Sequence, residues 1–366
     1  MKKGASHPYL TLPDTAFWSR SVARSYDARA LVDPAAPLLR ADDKIMSAGS
    51  CFAANIIPFF ESAGFPYVRT EFVDEADRYG YHLYSAAYGN IYTARQLRQL
   101  LERLAGSFRP IEDRWRIGEA VIDPFRPGLP DPAGSDEEFD LILDSHHARF
   151  REAIRRASLF IFTLGLTEAW VSKADGAVFP ACPGTIAGAF DPERHAFVNF
   201  RSSDIRDDLL ESMQLLKRFN PAIRMMATVS PVPLVATASG AHVQRATAYS
   251  KAALRVACEE AAQYWPDLVY FPAYEIVTGP HSAGFFEADL RQVSPAGVQA
   301  VMDVLFHHSE TPASTADDRA RREQMRRAGE LSKALSEREC EEMAADRAPE
   351  PPLEGEDRPA KPDGAG

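Results

Sequence analysis

The chain has 366 residues, 45% of them hydrophobic and 25% charged, which allows a sizeable core in roughly two domains or one large one. A net charge of −11 and a pI near 5.4 argue against a nucleic-acid or anionic-membrane partner. Cys51, Cys182, Cys258 and Cys340 are far apart with no CxxC pair, so neither a zinc site nor a disulfide framework is indicated.

The first residues, MKKGASHPYL, carry two lysines but no apolar segment behind them. No stretch approaches the ~18 consecutive apolar residues of a membrane span. The expectation is a cytoplasmic protein without membrane insertion. Residues 1–40, broken by Pro8, Pro13, Pro34 and Pro37, read as an ordered arm, with Phe17, Trp18 and Val22 docking a short helix on the body.

KIMSAGSCFAANIIPFF (44–60) is the most informative stretch. Ile45 and Met46 open it, Ala48-Gly49 turns it, and Phe52, Ile56 and Phe59/Phe60 then recur at helical spacing. This predicts strand, tight turn and one continuous helix, with Ser50 and Cys51 in the turn. Glycine allows the sharp bend, and a helix N-terminus favours a thiolate or an oxyanion. The bland alternative is a buried turn of small residues.

FPYVRTEF (65–72) suggests a second short strand. RYGYHLYSAAYGN (78–90) is aromatic and loop-like, and Thr93 caps a helix through Leu97 and Leu101. Asn90 beside Gly89 is by itself an ordinary turn pair. Trp115 and EAVIDPF fit a hairpin. Asp144 or Ser145 is expected to cap a basic helix carrying His146 and His147 in its first turn, where adjacent histidines point apart and make a poor metal pair.

SLFIFTLG (158–165) is a strand buried on both faces, with Thr167, Glu168 and Trp170 at its carboxyl end. Residues 171–203 form an excursion. A helix capped by Asp204 leads to a third strand, AIRMMATVS (222–230), ending in Thr228 and Ser230. His242 lies in the following loop, ahead of a helix from about Tyr249. LVYF (268–271) is a fourth strand, and Ser294-Pro295 starts a last helix. Strands alternating with helices, with polar residues at strand ends, describe an α/β doubly wound fold with its ligand site at those ends. A charged helix is expected within 309–344. Residues 345–366 are too rich in Pro, Gly and charge to bury a core and are expected to be disordered.

G-S-C-F-A at 49–53 matches the motif of the GSCFA family, and GNIYTARQL (89–97), TLGLTEAW (163–170), TVSPVPL (228–234), AHVQRATAYSKAALR (241–255) and YFPAYEIV (270–277) extend the resemblance over most of residues 8–308. GSCFA proteins are similar to the SGNH, or GDSL-like, hydrolases, a flavodoxin-like group of esterases and acyl-handling enzymes. The resemblance implies one SGNH-like domain over 41–308, and a role for each block. Gly49-Ser50-Cys51 stands where that group has Gly-Asp-Ser, making Cys51 the nucleophile, or Ser50 if the alignment shifts by one. Gly89 and Asn90 stand for an oxyanion-hole block. Gly165-Leu166-Thr167-Glu168 replaces Gly-x-Asn-Asp. Asp289-Leu290-Arg291-Gln292 replaces the terminal Asp-x-x-His, with Gln292 where the base would be. Glutamine cannot take a proton near neutral pH, which counts more against Ser50 than against Cys51. His242 is the candidate substitute base, ahead of His281 and the His146/His147 pair.

The function so implied is that of an esterase or O-acyltransferase acting on a carbohydrate-like hydroxyl substrate, with no cofactor or metal. The alternative is a binding protein for sugar or acyl groups that has lost its base. The discriminating observation is a histidine in reach of Cys51 or Ser50. Oligomeric state is not legible.

Overall fold

The computed structural model describes residues 7–32, 34–73, 78–312, 326–332 and 341–346. The N-terminal arm holds three short 3-10 turns and one helix, α1 (Trp18–Ser21). Trp18 does not dock it, being 67% exposed. The arm is held instead by Tyr26, whose ring stacks on His281 at 4.3 Å, and by buried Leu38 and Leu39.

Strand β1 (Ile45–Gly49) is buried at every position. The predicted single helix after it is two, α2 (Cys51–Asn55) and α3 (Ile57–Ser62). Pro58, with no N–H to give to Ala54, accounts for the break. Helix α4 (Ala94–Ala105) is capped by Thr93, whose Oγ1 accepts from Gln96 N at 3.1 Å. The hairpin β2 (Trp115–Ile117) and β3 (Ala120–Ile122) precedes α5 (Asp136–Arg156).

Helix α5 starts a full two turns before the expected cap. Ser135 caps it, with Oγ accepting from Glu138 N, and Asp136, Glu137 and Glu138 fill its first turn, where acidic groups are favoured. His146 therefore sits in mid-helix and is completely buried.

Then come β4 (Leu159–Leu164), β5 (Glu168–Ser172), β6 (Val178–Phe179), β7 (His195–Asn199), α6 (Ser202–Phe219), β8 (Arg224–Val229), α7 (Val243–Tyr264), β9 (Leu268–Phe271), α8 (Ala273–Thr278) and α9 (Pro295–His307). Helix α9 begins as expected at Ser294, which accepts from Gly297 N. Beyond it, residues 326–332 are helical and Glu341–Asp346 form a 3-10 turn. The rest of the charged helix expected within 309–344, and residues 347–366 of the expected tail, lie outside the described residues.

The main sheet is parallel, in the order β1-β4-β8-β9. Tyr67 adds a parallel bridge to Ile45 on the outer side of β1, so the segment at 65–68 takes the place of a second strand. The chain thus runs outward from β1 to that edge, then returns to β4 on the other side. This is the flavodoxin-like order 2-1-3-4-5, whose switch point lies at the carboxyl ends of β1 and β4. Gly49 pairs there with Thr163. A second sheet, antiparallel in the order β6-β5-β7, is the excursion after β4.

The strands divide their side chains by parity, as a sheet covered on both faces must. Met46, Phe160, Phe162 and Met225 pack with α4, α5, α6 and α7, while Ile45, Leu159, Ile161 and Met226 pack with α2, α3, α8 and α9. The two cores leave the carboxyl ends of the strands as the place where polar groups gather.

Candidate active site

Gly49 ends β1 with φ +151°, and a Cβ there would stand 2.6 Å from the carbonyl oxygen of Thr163 on β4. Only glycine brings the two strand ends this close without moving one of them. The bend places Ser50 at the N-cap of α2, 4% exposed. Its Oγ makes no capping bond and, among the described residues, has no hydrogen-bond partner. A buried hydroxyl without a partner costs about 1–3 kcal/mol. Cys51 opens α2; its side chain lies outside the described part of the structure. Because α2 is five residues long, the helix field expected at this turn is a short one.

The loop 84–93 holds the turn from behind. Ile91 N donates to Gly49 O at 2.9 Å. The Tyr84 hydroxyl donates to Asn90 Oδ1 at 2.8 Å and lies 3.1 Å from Ser50 O. Gln96 completes the frame, with Nε2 donating to Asn90 O and Oε1 accepting from Tyr92 N, each at 2.9 Å. Gly89, at φ +67°, makes the bend that lets buried Asn90 face β1. Asn90 is therefore brought to the turn and fixed in orientation by Tyr84.

The third block behaves differently. Gly165 N donates to Tyr92 O at 2.9 Å. Thr167 is fully buried; its N donates to Ser250 Oγ at 2.9 Å and its Oγ1 to Asn199 Oδ1 at 2.6 Å. Both donors of Thr167 are engaged in holding α7 and β7 to the strand end. The oxyanion role expected for it is corrected on that ground, and the N–H of Gly165 is engaged likewise. Glu168 accepts from Thr237 Oγ1 at 2.7 Å, and burial pushes its carboxyl above the usual range.

The last block closes on itself. Asp289 is exposed, and its Oδ1 accepts from Arg291 N and Gln292 N at 2.9 and 3.0 Å, an Asx turn that closes on itself. Gln292 borders none of the cavities at the strand ends. His242 is also exposed: α7 begins at Val243, earlier than expected, and His242 is its N-cap, Nδ1 accepting from Gln244 N at 3.2 Å. It lines no cavity with Ser50. His281 packs against the arm, its Nε2 donating to Val22 O at 2.8 Å. His146 is on the buried face of α5, 2.6 Å from Glu71.

Ser50 opens instead on a small cavity bounded by Tyr92, Gly165, Leu166, Ser230 and Leu234. Tyr92, Leu166 and Leu234 are shared with a larger pocket of about 300 Å³, walled by Trp170, Phe179, Phe197 and Glu168. The antiparallel excursion and the loop after β8 build that wall, which sequence reasoning left without a role. Lys251 was also missed. It is 1% exposed, and its Nζ donates to Gly165 O at 2.6 Å. The signal was available: Ala246, Ser250, Leu254, Ala257 and Cys258 mark the buried face of α7, and Lys251 stands on it. Among the described residues no helix is long and apolar enough to cross a membrane, and no three His, Cys, Asp or Glu side chains are grouped as a metal site would need.

The model of the GSCFA family matches residues 44–305. No curated protein matches the chain. A solved carbohydrate esterase family 2 enzyme plus carbohydrate binding domain, from Corynascus thermopiles (Myceliophthora fergusii), aligns at 10% identity with a TM-score of 0.26, over 76% of this chain and 68% of that one. An overlap that loose carries no argument about activity.

Proposed function

The chain belongs to the GSCFA family, and from that premise we propose that it processes acyl esters, as a hydrolase or O-acyltransferase of a carbohydrate-like hydroxyl substrate, with its nucleophile in the Ser50–Cys51 turn. The observation that carries this reading is the turn itself. A glycine at φ +151° puts a hydroxyl with no partner among the described residues, and the first residue of a helix, at the topological switch point beside a pocket of about 300 Å³. The carbohydrate part rests on family analogy alone.

In the reaction, the nucleophile's oxygen or sulfur bonds to the acyl carbon and the ester C–O bond breaks, the nucleophile's proton passing to the departing alcohol. Water or a second hydroxyl then attacks the acyl-enzyme, and its proton restores the nucleophile. Backbone N–H groups of the turn, with Asn90 oriented by Tyr84, would hold the oxyanion. The aromatic wall of Trp170, Phe179 and Phe197 would take the apolar face of substrate.

The second reading, a binding protein on the same fold, is favoured by one observation: among the described residues, no histidine lines the Ser50 cavity. The test is labelling of the full chain by an acylating probe across pH, with the labelled peptide identified by mass. Label on Cys51 starting well below pH ~8.5, where an ordinary thiol ionises, and lost in Cys51→Ala, supports a cysteine acyl-enzyme. Label lost only in Ser50→Ala moves the nucleophile by one residue. A sugar or acyl ligand that binds without any covalent label on either residue supports the binding protein.

A further inference from the structure

The pocket of about 300 Å³ is walled by Trp170, Phe179, Phe197, Leu166 and Leu234. Trp170 is braced edge-on by Phe190 and Phe197, with ring centroids at 5.1 and 5.8 Å. The polar side chains of the lining are engaged within the protein. Gln96 holds Asn90 O and Tyr92 N, Thr93 Oγ1 accepts from Gln96 N, and Thr185 Oγ1 donates to Cys182 O at 2.8 Å. Among the described residues the one charged side chain lining the pocket is Glu168, which accepts from Thr237 Oγ1 and from the Ala238 N–H. A sugar entering this space would give up its hydrogen bonds to water and find few in exchange. An alkyl chain gives up none, and gains about a factor of four in binding for each methylene removed from water. The pocket and the Ser50 cavity share Tyr92, Leu166 and Leu234, so the two spaces adjoin.

We propose that this pocket is the acyl subsite, and that the substrate is a medium-chain acyl ester. The inference rests on the ester-processing reading above. A space of about 300 Å³ equals about ten water-sized volumes, the bulk of an alkyl chain of roughly eight to ten carbons. With the acyl carbonyl at the Ser50–Cys51 turn, the alkyl chain passes Leu166 and Leu234 and lies against Trp170, Phe179 and Phe197. The hydroxyl-bearing part of the substrate is then recognised outside this pocket, where its hydroxyls keep their water.

The experiment measures kcat/KM of the full chain on p-nitrophenyl acetate, butyrate, octanoate and dodecanoate, in the wild type, Ala181→Phe and Phe197→Ala. Both residues line the pocket; the first change fills part of it and the second enlarges it. Octanoate is expected to exceed acetate roughly 100-fold or more, from about fourfold per buried methylene. Ala181→Phe should cut the octanoate-to-acetate ratio roughly tenfold or more, and Phe197→Ala should move the optimum toward dodecanoate. Each ratio is taken within one preparation, so a smaller folded fraction does not alter it. Calorimetry with 1-octanol and with methyl glucoside reads the same pocket without turnover. Octanol should bind with a negative heat-capacity change, weakened in Ala181→Phe, and methyl glucoside should not bind there. Acetate turnover with no gain from longer chains, or a ratio that neither variant moves, overturns the subsite and leaves the ester-processing reading standing. Methyl glucoside binding that Ala181→Phe abolishes overturns it too and gives the pocket to the sugar. If no ester is turned over while octanol binds and Ala181→Phe weakens it, the ester-processing reading falls and the pocket remains an alkyl-chain site. If neither occurs, both fall.

Discussion

His146 on α5 and Lys251 on α7 both bury a basic nitrogen against the same sheet, at 0% and 1% exposure. Around His146 the groups face one another. Burial holds the imidazole below its ordinary pKa, and its Nδ1 lies 2.6 Å from Glu71 Oε2. Burial alone would raise Glu71, but His146, Arg126 and the Ala87 N–H bring it down to about 2. Asp123 and Arg126 pair beside them at 2.8 Å, and the adjoining cavity of about 20 Å³ has room for a water molecule and little more. Lys251 instead holds Gly165 O, and Gly165 borders the small cavity that adjoins the larger pocket, where the Ser50 hydroxyl has no partner among the described residues. Histidine is the residue type that hydrolase chemistry leads one to look for, and here it braces a core. What separates the two centres is not residue type or burial but the size of the space beside them: His146, whose Nε2 has no hydrogen-bond partner among the described residues, borders a cavity of about 20 Å³, whereas the strand end that Lys251 holds borders the approach to a pocket of about 300 Å³.

Removing one partner from the enclosed centre should have the largest effect. Glu71→Ala strands His146, leaves Arg126 with Asp123 alone and is expected to cost about 3–5 kcal/mol, read as a lower urea midpoint, while any acylation of the folded fraction persists. A cost below about 1 kcal/mol would show the cluster to be ornamental and break the comparison.

Acid should act on the same centre. Glu71 is depressed to about 2, so its contribution is full above the ordinary carboxylate value and is lost as pH falls from about 4.5 toward 2. Burial, with Arg103 nearby, pushes His147 down to about 3. The unfolded chain protonates it first, so that stability is full above about pH 6.5 and declines as pH falls toward 3. Urea midpoints measured from pH 7 to 4 should therefore fall with acid, and His147→Gln should flatten the slope between 6.5 and 4.5. A slope unchanged in that variant would remove His147 from the account.

At the open centre the sign should reverse. Ser50→Ala deletes a buried hydroxyl that has no partner among the described residues, and the melting midpoint should rise by the equivalent of about 1 kcal/mol, with acylation reduced or its site pinned to Cys51. A clear loss of stability would mean that Oγ has a structural partner and that the contrast with the His146 centre is false. The smallest effects belong to the exposed candidates. His242→Ala should cost less than about 1 kcal/mol as the loss of a helix cap, Asp289→Ala about 0.5 kcal/mol as an exposed turn, and neither should change the acylation rate. A hundredfold loss in His242→Ala would restore it as the base.

The parts legible in the sequence share a local cause. Continuous apolar runs gave the buried strands because a sheet covered on both faces needs them, and Gly49, Thr93 and Ser294-Pro295 mark turns and caps whose geometry is decided within four residues. Where a local signal was ambiguous the reading slipped. Ser135 was passed over for Asp144 or Ser145, which put His146 near a surface, and the start of α7 was placed past the residue that caps it. The pocket wall was illegible for another reason: strands β5, β6 and β7 are short, and their pairing joins residues far apart in the chain.

Taken alone, the amino-acid order determined the alternation of strands and helices, and the positions at which polar residues leave the strands, because period and capping are properties of neighbouring residues. It also determined that Gly49-Ser50-Cys51 would stand at a strand end, and that Gln292 could not be a base. Only the tertiary structure decided which of those polar groups meet. Whether a donor is engaged, as in Thr167, or faces a cavity, as in Ser50, depends on atoms brought from segments as far apart in the chain as Ser50 and Leu234. The inward direction of Lys251 was decided in the same way, by the strand end on which α7 came to rest.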